Sequence, residues 1–110
     1  MDAKTQARYE ARAKIIKAMA HPTRLFIVDE LSRNGKHCVW ELTKMVGVDM
    51  STVSRHLAIL KDAGLIDDEK RGAQVYYRAC GGCVSQFLDC VESLVGFNAR
   101  DHRELPGRTT

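Results

Sequence analysis

"VGVDMSTVSRHLAILKDAGLI", residues 46 to 66, decides the fold. Gly47 stops the helix before it, and Asp49 offers a carboxylate that can cap a new one. From Met50 the apolar positions Val53, Leu57, Ile59 and Leu60 recur at helical spacing until Gly64 ends the run. Just upstream, "CVWELTKMV" reads as a short extended segment leading into a helix from Trp40 to Val46. Two helices joined by a turn of about three residues containing a glycine form a helix-turn-helix, Trp40 to Ala63.

The second of these helices turns Met50, Ser51, Thr52, Ser54, Arg55 and His56 outward near its start, while Val53, Leu57 and Leu60 point inward. Short polar and basic groups at the N-terminal end are what a helix needs to enter a major groove. Arg55 carries a fork that matches guanine O6 and N7, and the three hydroxyls have the reach of phosphates or base edges. The plainer alternatives are that Ser51 and Thr52 only cap the helix, that Arg55 is a solvated charge, and that His56 packs or lies near a phosphate.

Working outward, residues 5 to 20 are rich in Ala, Lys, Arg and Ile and predict a helix, with Arg8, Arg12, Lys14 and Lys17 on its solvated face. "HPTRLFIVDEL" begins a second helix with Pro22 in its first turn and Leu25, Phe26, Val28 and Leu31 as its apolar stripe. Beyond the helix-turn-helix, "LIDDEK" and "QVYYR" are strands around a turn at Arg71, Gly72 and Ala73, a β-hairpin wing. Lys70, Arg71 and Gln74 are placed to follow a nucleic-acid backbone, if the wing is not simply a solvated turn. Val84, Phe87, Leu88, Val91, Leu94 and Val95 then fall on one face of an amphipathic last helix. The expected organisation is one mainly α winged helix-turn-helix domain over residues 1 to 98, with a mobile tail over residues 99 to 110.

Composition agrees with such a small domain. The chain has 110 residues, 45% of them hydrophobic, and a formal net charge of +3. It is too short for a barrel or a doubly wound enzyme, and a mild positive excess permits nucleic-acid binding without demonstrating it. No apolar run is long enough to span a bilayer, and the charged N-terminus lacks the apolar core of a signal peptide. The expectation is a cytoplasmic protein with no membrane partner, whose four cysteines are thiols rather than disulfides.

The order of elements, with "AMAHPTRLFIVDEL", "VSRHLAILKDAGLI" and "GAQVYYR" in their places, resembles the ArsR/SmtB family of bacterial metal-responsive repressors over about residues 8 to 97. The resemblance implies a winged-helix homodimer that pairs through its first and last helices, sits on double-stranded operator DNA without an effector, and is released by an inducer. It implies no enzymatic activity and no catalytic cofactor. In family members that sense arsenic at the start of the helix-turn-helix the pattern resembles "ELCVCDL". "KHCVWEL" has Cys38 at the first cysteine and Trp40 at the second. The family's zinc site on the last helix needs paired Asp and His. Residues 83 to 97 hold no His and only Asp89, which excludes it.

The remaining question is what the cysteines do. Cys80 and Cys83 form a CxxC whose two glycines free the chain to bring both thiols onto one soft ion. Cys83 also falls at the start of the last helix, beside N–H groups without intrahelical partners, a position that favours reactivity. Cys90 is seven residues on and cannot clasp the same ion, so it is expected to be a small buried hydrophobe. Cys38 is the expected third ligand, because the extended piece before the helix-turn-helix should pair with the second wing strand, whose end runs into Cys80. A site of Cys38, Cys80 and Cys83 suits a trigonal ion such as As(III). His37 and His102 are further candidate ligands, though single histidines in a turn and a tail are usually solvated.

These readings leave a repressor gated by a thiophilic ion first and a thiol redox or persulfide sensor second. A constitutive DNA-binding dimer with inert cysteines is third. A CxxC oxidoreductase would need the α/β pattern this chain lacks.

Overall fold

In a computed structural model the backbone is described for residues 1 to 104 and the side chains for residues 1 to 96. The elements are α1 (Ala3–Met19), α2 (Pro22–Asn34), β1 (His37–Cys38), α3 (Val39–Val46), α4 (Met50–Asp62), β2 (Ile66–Arg71), β3 (Gln74–Ala79) and α5 (Val84–Glu104). This is the expected mainly helical winged helix-turn-helix. The last helix runs further than its apolar periodicity suggested, so residues 99 to 104, assigned to the tail, are helical. Residues 105 to 110 lie outside the described residues.

Local chemistry sets most boundaries. Asp2, His21 and Asp49 sit in extended conformation at the N-caps of α1, α2 and α4, each accepting a backbone N–H from the first turn. Pro22 opens α2, where no intrahelical N–H is required. Gly47 closes α3 with φ 84, a left-handed conformation that costs a glycine little, and its N–H returns to the Thr43 carbonyl.

The three strands form one antiparallel sheet in the order β1-β3-β2. The wing hairpin pairs Ile66 with Ala79 through Arg71 with Gln74, so Arg71 ends a strand and the turn is Gly72 and Ala73 alone. The short piece before α3 does pair with β3, as expected. Its register sets His37 opposite Tyr77 and Cys38 opposite Tyr76.

Ile27, Val28 and Leu31 of α2, Leu42 of α3, Val53, Leu57 and Leu60 of α4, and Leu65 and Ile66 form the centre of the core. Full burial of one such side chain contributes about 1.5–3 kcal/mol. Two residues of the apolar runs in α2 and α4 are exposed instead. Phe26 is 42% exposed while its neighbour Ile27 is fully buried, and Ile59 is 38% exposed. In each helix the seam against the other helices is narrower than the run of apolar residues, and spacing alone does not choose between adjacent apolar positions. Helix α1 gives only Ala18 and Met19 to the core. Helix α5 gives Val84 and, partly, Leu88, leaving Phe87, Val91, Leu94 and Val95 exposed.

Candidate functional site

Helix α4 packs through Val53, Leu57 and Leu60, and this turns Met50, Ser51, Ser54 and Arg55 to the exposed side, with Thr52 and His56 partly covered. The start of the helix is organised by Asp49. Its carboxylate accepts the Thr52 N–H at 3.1 Å and the Thr52 hydroxyl at 2.7 Å, and the Ser51 hydroxyl also donates to it. Hydrogen bonds from Ser51 first, then from Thr52, hold its pKa down to about 2. Two of the three hydroxyls assigned to base or phosphate contacts, those of Ser51 and Thr52, are therefore engaged in the cap of the free protein. Ser54 and Arg55 are exposed one turn further along.

His56 differs from the other five residues of this set. Its ring lies 4.5 Å from that of His21 at the start of α2, and its Nδ1 is 3.3 Å from an Arg24 guanidinium nitrogen. It is built into the junction of two helices, and sequence spacing carried no sign of either partner.

On the wing, Lys70, Arg71 and Gln74 are all exposed. Arg71 is braced within the hairpin, with Nε 3.2 Å from Glu69 and its guanidinium 5.7 Å from the centre of the Tyr76 ring. Glu69 also takes Lys36 at 3.2 Å, and these cations, Lys36 first, hold its carboxyl below its usual range. Lys70 is exposed on the edge strand β2. Helix α4 and the wing thus present two separate sets of basic and polar groups, as groove and backbone contacts would require.

The cysteines divide into two places. Cys38 is buried, 6% exposed, at the N-cap of α3, where its N–H donates to Glu41 at 2.9 Å. Strand pairing was expected to carry it to Cys80. The register sets it opposite Tyr76 instead, four positions before Cys80, or on the order of 13 Å along the strand. Because the pairing is antiparallel, moving along β3 from Tyr76 toward Cys80 leads back past His37 toward the end of α2, away from Cys38. His37, expected in a solvated turn, lies in β1 with Nε2 2.9 Å from Glu30. Among the described residues no three His, Cys, Asp or Glu side chains converge as a metal site. The side chain of His102 lies outside the described residues.

Cys80 and Cys83 are both exposed and stand on either side of a glycine turn. The Cys80 N–H is fixed to the Leu65 carbonyl at 2.9 Å, and the Cys83 carbonyl accepts from Phe87 at 3.0 Å, beginning α5. Gly81 has φ 77, so the turn depends on a residue without Cβ. Cys83 borders an apolar groove of about 310 Å³ formed with Ile15, Ile16 and Met19 of α1 and Phe87 of α5. Cys90, expected to be buried, is exposed, because α5 meets the body mainly at its beginning.

Helix α5 is fastened to the body by Arg33 of α2. Its Nε is 2.6 Å from Asp29, and one terminal nitrogen reaches Asp89 at 2.6 Å and the Ser85 carbonyl at 3.2 Å. Periodicity shows no such clamp.

Residues 21 to 68, from the start of α2 into the wing, match the family model "Bacterial regulatory protein, arsR family". The chain is 40% identical over 92 residues to the HTH-type transcriptional regulator YgaV of Escherichia coli, covering 84% of this chain and 93% of that one. It is 40% identical over 88 residues to the arsenical resistance operon repressor of Bacillus subtilis, covering 76% and 81%. Its fold is similar to the solution structure of the homodimeric winged helix-turn-helix DNA-binding domain Mb0332 from Mycobacterium bovis. There the TM-score is 0.78 at 27% identity, with 93% and 94% of the two chains covered. No described helix is long and apolar enough to cross a membrane. The chain belongs to the ArsR/SmtB family of winged-helix transcriptional regulators, whose members are DNA-binding proteins and not enzymes.

Proposed function

We propose that the protein is a homodimeric repressor that occupies operator DNA through α4 and the wing, and leaves it when a thiophilic effector engages Cys80 and Cys83. Arsenite or another soft metal ion is the first choice of effector. The observation that carries this reading is the position of the pair. Two exposed thiols border a glycine turn that joins the sheet bearing the wing to the helix α5. An ion bound by both thiolates, with release of their protons, would fix that turn and bias the angle between α5 and the DNA-reading half. The third position of a trigonal ion falls to a small external thiol, since Cys38 is not at the turn. Similarity to an arsenical resistance operon repressor supports this choice of effector.

The homodimer is supported by what the single chain leaves uncovered. Ile15 and Ile16 of α1 and Phe87, Val91, Leu94 and Val95 of α5 are exposed apolar groups on two helices. The radius of gyration, 17.1 Å, exceeds the roughly 13 Å of a compact domain of this length. A similar structure is described as homodimeric.

The second reading is a thiol redox sensor. It is favoured by the closeness in sequence of two exposed thiols and by the lack of a third ligand among the described residues. An oxidant would then take two electrons and two protons as the disulfide forms. Titration of the reduced protein on its own upstream DNA with As(III), Zn(II), Cd(II) and peroxide separates the two readings. Cys80→Ser and Cys83→Ser should each abolish release while keeping effector-free DNA binding, and Cys90→Ser should respond as the wild type. Release that survives the double Cys80→Ser, Cys83→Ser substitution would place the sensor elsewhere. Operator affinity that ignores every thiol reagent would mean a constitutive dimer.

A further inference from the structure

Arg24 stands where three helices meet. Its Nε donates to the Ala18 carbonyl at 2.6 Å, and its Nη1 lies 3.3 Å from Nδ1 of His56 on α4. Ala18 is in the last turn of α1, where carbonyls have no intrahelical partner and a cation is favoured. One guanidinium therefore caps α1 and holds the DNA-reading helix from its own seat near the start of α2. A guanidinium only donates, so the contact requires His56 Nδ1 to be the unprotonated nitrogen of a neutral ring. The His21 ring lies 4.5 Å from that ring, tilted by 44°, and its own Nδ1 accepts the Thr23 N–H at 3.0 Å.

We propose that Arg24 is a positioning residue for DNA recognition, a strut from the end of α1 to the recognition helix through His56, and that protonation of His56 releases it. The inference rests on α4 being the DNA-reading helix. A second proton on the ring removes the acceptor and sets two cations 3.3 Å apart. The charged and titratable groups bearing on the ring are His21 and Arg24 from the start of α2 and Arg55 from α4 itself. Lys14, Lys17 and Asp62 line the adjoining groove between α1 and α4 with Arg24. Burial first, then His21, Arg24 and Arg55, lower the His56 pKa from its ordinary value of 6.5. The strut is thus intact above that value and is lost as pH falls through the lowered one. Because α1 also carries exposed apolar groups at Ile15 and Ile16, the same contact ties the recognition helix to a surface that a second copy would cover.

The test is the pH dependence of binding to a duplex selected from a random-sequence library by the wild-type protein. Between about pH 8 and about pH 5, wild-type affinity should fall by about tenfold. In His56→Asn, whose amide oxygen replaces Nδ1 without titrating, the ratio of affinities at the two pH values should come within about twofold of unity. Arg24→Lys keeps the charge but cannot reach both acceptors, so it should bind about tenfold more weakly at the higher pH, with a flattened profile. His37→Gln should keep the wild-type ratio. The imidazole NMR shift of His56 should titrate with the same midpoint as the loss of binding, a measurement that holds even if a variant does not fold. The proposal is overturned by an acid loss that persists in His56→Asn, by full binding of Arg24→Lys, or by wild-type binding that tightens on acidification. Wild-type binding without any pH effect would overturn the strut alone, whereas failure to select any duplex would overturn the assignment of α4 as well.

Discussion

Arg55 and Asp49 lie six residues apart on one helix, and their tests differ because their surroundings do. Arg55 is exposed on the face of α4 that packs against nothing, so Arg55→Ala should weaken specific operator binding by about 1–3 kcal/mol while the melting temperature stays unchanged. Unaltered specific affinity in the folded variant would remove it from the reading set. Asp49 acts on the fold instead. Its carboxyl is lowered from 3.8 to about 2 by the Ser51 and Thr52 hydrogen bonds, so the cap stabilises fully above pH 3.8 and is lost as the pH falls toward about 2. Asp49→Ala should lower the melting temperature at neutral pH, and the difference from wild type should vanish in that acid window. A difference that persists at the acid end would show that the ionised carboxylate is not what stabilises α4.

The helix-turn-helix holds together along a seam one side chain deep. Leu57 is fully buried between α4 and the other helices, so Leu57→Ala should cost about 2–5 kcal/mol by lost burial and the cavity it leaves. Chemical denaturation measures it. Ile59, two residues on, is 38% exposed, and truncating it should cost far less. Helix α5 is held differently, by Val84, Leu88 and the Arg33 clamp on Asp89 and the Ser85 carbonyl. Arg33→Ala should raise amide exchange in the first turns of α5 and leave α4 protected, and this difference should shrink at high salt, which screens exposed ion pairs. Equal exchange in variant and wild type would mean that the apolar contacts alone seat the helix.

At the scale of the whole molecule, two recognition helices and two wings in a dimer would place many cations against phosphates. Affinity should therefore fall steeply between about 50 and 200 mM salt, and the half-sites of the operator should lie about one helical turn apart. A flat salt response would contradict electrostatic docking. The proposed dimer would rest on the exposed apolar face of α5, where Leu94 is 62% and Val95 59% exposed. Leu94→Lys should give monomers in sedimentation, with DNA binding lost and the core intact.

Local chemistry by itself determined much of this protein. Asp49 before Met50, Gly47 after Val46, Pro22 after His21 and the alternation around Gly72 each act within a few residues, so the helix-turn-helix, the wing and the exposed position of Arg55 were legible in order along the chain. The tertiary structure alone decided what depends on partners distant in sequence. It chose Ile27 over Phe26 for the core and left Ile59 exposed, because the neighbouring helices set which side of an apolar run is covered. It placed His56 against His21 and Arg24. Strand pairing was foreseeable, but its register was not, and the register keeps Cys38 opposite Tyr76 and apart from Cys80 and Cys83. With only two residues, β1 carries too little alternation to specify an offset against β3, so the register follows from where α2 and α3, which pack on β3, seat it.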